Sequence, residues 1–228
     1  MCPSIPRLFD MSHIAVHGAA SASVPPEIAI ARIVVEFTGA DHPVIFARAR
    51  QAHATVTTSA VALRDSNQVD RIVAPAVRGW VFDDWIQLDG RSEQKTTRYR
   101  AGSTIDIWFT DLAVLGAWLS EIVGIPGVEV RGITWDILDS TRDATMRHVR
   151  TEATQDAVQR ASDYADALGL ADVRLSGIFE LLSQPEGETP PARPVVPTRG
   201  VARGESSLDL RPDNITLTSF VRAEFDAD

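Results

Sequence analysis

The chain has 228 residues, 44% of them hydrophobic and 23% charged, with a formal net charge of −9. That length and usage support a substantial buried core and exclude global disorder. The acidic balance excludes the clustered Lys and Arg stripe that nucleic acid or an anionic membrane surface would attract: Arg147 and Arg150 lie close together, but Glu152 and Asp156 follow at once.

At the N-terminus, residues 1–12 are expected to be a flexible lead-in. Pro3, Pro6, Arg7 and Asp10 interrupt any apolar run, and a secretory leader needs about 7–15 apolar residues in a row. No window reaches the ~18 apolar residues of a membrane helix. The expectation is a cytoplasmic protein, with Met11 as an alternative start because patterned sequence begins at His13. Cys2 is the single cysteine. It can form no intrachain disulfide and no cysteine-based zinc site.

Residues 13–24 alternate weakly and residues 28–37 strongly, with Ile33, Val35 and Phe37 on one face and Val34 and Glu36 on the other. The two segments flank Pro25-Pro26 and read as strands joined in a hairpin. Asp41 is placed to cap a helix and Pro43 suits its first turn. Ile45, Ala49, Ala52, Val56, Ala60 and Leu63 then recur at three and four, an apolar helical stripe reaching Asp65. Residues 69–88 are β-rich and lead into Asp89-Gly90, a hairpin turn signal. Residues 96–110 form a long strand with Tyr99, Ala101, Ser103, Ile105, Ile107 and Phe109 on one face.

Asp111 caps a short helix to Val123, closed by Gly124 and Pro126. Residues 128–137 are a strand, with Gly132 marking a bulge. Residues 140–168 form the longest helix, stopped by Gly169. Residues 174–182 are a strand. Residues 183–212 are rich in Pro, Gly and Arg without periodicity and are expected to be a long mobile loop. Residues 215–225 close the chain as a strand with Ile215, Leu217 and Ser219 alternating against Thr216, Thr218 and Phe220. Strands and helices mix without βαβ alternation, which points to an α+β domain over residues 13–228: a mostly antiparallel sheet with two or three helices packed on it.

Several segments, in order, resemble one known family. They are Val16-His17-Gly18, Val24-Pro25-Pro26-Glu27-Ile28-Ala29, Tyr99-Arg100-Ala101 with Ile105, Ile107, Asp111-Leu112 and Gly116, and Val130-Arg131-Gly132-Ile133-Thr134-Trp135. Ala153, Ala157, Ala161 and Ala165, leading into Leu168-Gly169, and then Pro212-Asp213-Asn214-Ile215 complete the set. The chain is similar to the SIMPL domain family, which includes periplasmic immunogenic-type proteins and a mammalian kinase-associated member. The sequence departs from the family's usual glycines at Ala20 and Asp213. The resemblance implies the fold and a tendency to self-assemble, and it carries over no catalytic residue.

His13 and His17 share a strand face but stand about 13 Å apart, too far to ligate one metal ion. His42, His53 and His148 have no His or Cys four residues away. Asp139 and Asp143 fit as charges at a helix start, and the neighbours Asp83 and Asp84 face opposite ways on a strand. No nucleophile elbow, Walker loop, dinucleotide fingerprint or H-E-x-x-H occurs, and Gly200 and Gly204 flank only Val-Ala-Arg in the long loop. Trp80, Trp85, Trp108, Trp118 and Trp135 are expected mostly in the core, with at least one, Trp108 on the polar strand face, a candidate interface anchor. The sequence thus nominates no catalytic, cofactor-binding or metal residue. It points to a non-enzymatic interaction protein, a homo-oligomer with a possible protein partner, no nucleic acid and no membrane insertion. The alternative is a small-ligand binder with a pocket between sheet and helices.

Overall fold

A computed structural model describes residues 12–88, 92–183 and 212–228, with side chains left undescribed at 86–88 and 92–94. The long loop expected over 183–212 therefore lies almost wholly outside the described residues, as do residues 1–11, Cys2 and the Asp89-Gly90 turn. The fold is α+β, with antiparallel sheets and three helices among the described residues. The strands form two sheets where one was expected, and the chain divides into two compact units.

The first unit joins both ends of the chain: described residues 12–24, 139–183 and 214–228. Its sheet has the order β1 (Ser12–Val24), β8 (Ile215–Ala227), β7 (Arg174–Leu181). β1 and β8 pair without a register break from Ser12↔Ala227 to Val24↔Ile215. Alternation puts Ile14, Val16, Val221, Ala223 and Phe225 on the buried face, and α3 (Asp139–Leu168) lies over β1 and β8.

The helix can do this because its inward stripe is alanine. Ala153, Ala157 and Ala161 are fully buried and Ala165 nearly so. A Cβ placed on Gly18 would run into the Ala153 carbonyl oxygen and would stand 2.7 Å from the Ala157 nitrogen. Backbone thus meets backbone, the close approach that small residues at a fixed helical spacing permit. Gly169 ends the helix with φ +67, the left-handed cap that glycine takes without a Cβ penalty.

The second unit comprises, among the described residues, 25–88, 92–138 and 212–213. Its sheet has the order β3 (Val69–Val73), β5 (Ser92–Phe109), β2 (Ile28–Gly39), β6 (Val128–Asp136), and β4 (Arg78–Leu88) pairs with the other half of β5. The hairpin expected about Pro25-Pro26 is not formed. β1 pairs with β8, whereas β2 pairs with β5 and β6. Two consecutive prolines hold an extended backbone and donate no hydrogen bond, so they pass the chain onward instead of reversing it. The expected bulge is present: pairing steps from Arg32↔Gly132 to Ile33↔Val130, leaving Arg131 unpaired in the ladder.

One face of this sheet is covered by α1 (His42–Asp65) and α2 (Leu112–Ile122). The Asp41 side chain accepts a hydrogen bond from the Val44 N–H at 3.1 Å, and Asp111 accepts from Ala113 N–H at 3.0 Å. The stripe Ile45, Ala49, Ala52, Val56 and Ala60 is buried as its spacing requires. Ala52, Val56 and Ala60 meet Ala29, Ala31, Ile33, Val35, Ile105, Ile107 and Phe109, all fully buried, while Ile45 and Ala49 pack with Ala101. Each Ile or Phe in such a position contributes roughly 1.5–3 kcal/mol of transfer free energy.

Candidate interaction surfaces

The residues weighed for chemistry do not converge. His13 is exposed on the outer face of β1, with Nδ1 3.2 Å from Asp226. His148 and Asp143 are exposed on α3, Asp139 begins it, and His42 and His53 belong to α1. Asp83 pairs with Lys95 at 2.8 Å and Asp84 with Arg98 at 3.3 Å. Among the described residues no group of three His, Cys, Asp or Glu side chains is placed to hold a metal ion, and no helix is long and apolar enough to cross a membrane. Gly200 and Gly204 lie outside the described residues.

Both outer strands of the first unit's sheet are edges among the described residues, and they differ. β1 carries no Lys, Arg, Asp, Glu or Pro. The Ala19 N–H, however, donates to the Asp156 carboxylate of α3 at 2.9 Å, so the helix caps that edge near its middle. β7 pairs with β8 alone and is open on both faces: Leu175 is 51%, Ile178 45% and Phe179 52% exposed. A register break between Leu175 and Gly177 and the charges of Arg174 and Glu180 guard its ends. The segment from Gly177 to Phe179 has no such guard.

In the second unit, the sheet face turned away from the helices carries paired charge. The Arg32 guanidinium grips Asp106 through Nε at 2.8 Å and through a terminal nitrogen at 3.2 Å. That hydrogen-bonded partner raises the Arg32 pKa above its ordinary value. Arg100 faces Glu36 at 3.5 Å and Arg131 faces Glu129 at 3.1 Å. Arg71 lies over the Trp108 ring at 3.8 Å from its centroid. Such exposed pairs are each worth little in stability, but they leave the face with most of its charge already matched.

Trp108 and Trp135 are half-buried and Trp118 is buried against Phe109, with its indole N–H donating to Ser59 Oγ at 2.7 Å. Trp80 and Trp85 depart from the core expectation: they are 44% and 61% exposed on β4. Among the described residues β4 pairs only with β5 and lies at the sheet's border.

Trp80 borders two recesses. One, of about 420 Å³, is shared with His42, Gly79, Val81 and Tyr99. The other, of about 370 Å³, opens between β2, the start of β4 and β5. On the opposite side of the sheet the space under α1 and α2 is filled by side chains. A recess of about 220 Å³ remains at the rim of α1, beside Phe37, Arg48, Ile125 and Pro126.

The sequence profile of one family, SIMPL, described as a protein of unknown function (DUF541), matches residues 14–225 of the chain. No curated protein matches it.

Proposed function

The chain belongs to the SIMPL family, and from that premise we propose that it is a non-enzymatic interaction protein that assembles with copies of itself through the open edge of β7. The observation that carries this reading is the unguarded stretch Gly177–Phe179. Among the described residues it offers unpaired backbone groups flanked by Ile178 and Phe179, each about half exposed. An edge of this kind is a template for another strand. Two copies related by a two-fold axis would pair β7 with β7, extend each three-stranded sheet into one of twice the width, and close the assembly without leaving the edge free.

Sedimentation of the whole chain at micromolar concentration tests the reading. The expected species has twice the 24.8 kDa of one chain, and Ile178→Lys, an exposed substitution, returns it to a single chain with unchanged circular dichroism. A wild-type chain that sediments only as a monomer overturns the proposal. Dimers that survive both Ile178→Lys and Phe179→Glu overturn the assignment to β7.

A further inference from the structure

The 370 Å³ recess on the second unit's helix-free face has features that self-association does not use. Its walls are Val34 of β2 and Trp80 and Arg78 of β4, and its base includes Gly102, Ser103 and Thr104 of β5. The link between β3 and β4 closes one end: Ser103 Oγ donates to the Pro75 carbonyl at 2.7 Å, fixing that link against β5. Gly102 is buried, and a Cβ there would run into the Val35 carbonyl oxygen. The two strands are therefore in close contact under the recess, which makes its base rigid.

Charge matching sets Arg78 apart. Arg32, Arg98, Arg100 and Arg131 each face a carboxylate within 3.5 Å, and Arg71 is stacked on Trp108. Arg78 has no carboxylate or ring partner among the described residues, in a chain where 31 acidic residues outnumber 22 Lys and Arg. Glu36 also borders the recess, but Arg100 stands 3.5 Å from its carboxylate. A guanidinium presents a fork of donors that matches a carboxylate in a bidentate way. Beside it, Trp80 exposes 44% of its surface and offers a flat apolar platform with a polar tip.

We infer that this recess binds a small organic monoanion with a flat apolar body, with the anionic group on Arg78 and the ring against Trp80 and Val34. The volume lies at the lower end of the roughly 300–1,000 Å³ typical of ligand sites, so one fused ring pair with a short acidic arm is the size that fits. Thr104, on the same face of β5, adds a hydroxyl to the polar rim.

Three probes that share one ring system but differ in charge test this: indole-3-acetate, neutral 3-methylindole and cationic tryptamine. Each is titrated into the ¹⁵N-labelled full chain while the indole N–H resonances are followed, with the Trp80 resonance assigned from Trp80→Phe. Indole-3-acetate is expected to move the Trp80 resonance and to bind about tenfold or more tighter than either other probe, the scale of one charge-assisted contact. Arg78→Gln, at an exposed residue, is expected to remove that preference while leaving sedimentation unchanged. The inference is overturned by a Trp80 resonance that stays still at millimolar indole-3-acetate. It is equally overturned by comparable affinity for all three probes, or by an Arg78→Gln variant that binds indole-3-acetate as tightly as the wild type.

Discussion

Gly18→Ala is the sharpest test of how the first unit holds together. The added Cβ would overlap the Ala153 carbonyl oxygen and lie 2.7 Å from the Ala157 nitrogen and 2.8 Å from the Ala157 Cβ. Two of these three neighbours are backbone atoms of α3, so no side-chain rotation relieves the contact. The helix itself has to lift from β1. Overpacking of this kind typically costs about 1–3 kcal/mol, and backbone contact places this site at the upper end. At about 2–4 °C per kcal/mol for a chain of this size, the melting temperature falls by roughly 6–12 °C.

The five tryptophans all lie between residues 80 and 135, inside the second unit. Tryptophan fluorescence therefore follows that unit, while far-UV circular dichroism includes the 30-residue α3 of the first. The loss is expected in the circular dichroism transition. Gly132→Ala serves as the control. A Cβ there meets nothing within 4 Å, and replacing such a glycine tends to stabilise by about 0.4–1 kcal/mol through the unfolded chain. If Gly18→Ala melts together with Gly132→Ala, the close approach of α3 to β1 is wrong.

Ser59→Ala removes the acceptor of the Trp118 indole N–H, which lies in a residue only 4% exposed. The unpaired donor costs about 1–3 kcal/mol, read as a lower urea midpoint in the tryptophan fluorescence transition. Trp85→Phe, at a side chain 61% exposed, is expected to shift stability by no more than about 0.5 kcal/mol and to remove the emission most accessible to acrylamide. Unchanged quenching in that variant would place Trp85 in the core after all.

Local patterns made most elements legible from the sequence, because each rests on neighbours in the chain. Asp41 and Asp111 announce their helices through a side-chain oxygen and an amide two or three residues on. The stripe from Ile45 to Ala60 repeats at the helical period, and the alternation of β8 fixes which of its residues face the core. Partner choice has no such local signature. Pro25-Pro26 between two strands looks like a turn until β8, some 190 residues later, supplies the true partner of β1. The single expected sheet became two for the same reason, since nothing in β2 or β8 alone says which strands share a ladder.

Surface features were the least legible, and the physical cause is that exposure depends on what else is nearby. Trp80 and Trp85 have the same hydrophobic side chain as Trp118, yet only Trp118 has both a layer above it and an acceptor for its N–H. The edge of β1 lacks charge of its own, and its guard comes from another element, Asp156 of α3 at the Ala19 amide. β7 shows the converse. Its sequence carries Arg174 and Glu180, which suggest a protected edge, while the uncharged Gly177–Phe179 segment between them stands open on both faces. Arg78 follows the same logic. Its charge is one of 22 in the sequence, and only the pairing of Arg32, Arg98, Arg100 and Arg131 with nearby carboxylates distinguishes it, among the described residues, as the unpaired cation beside that recess.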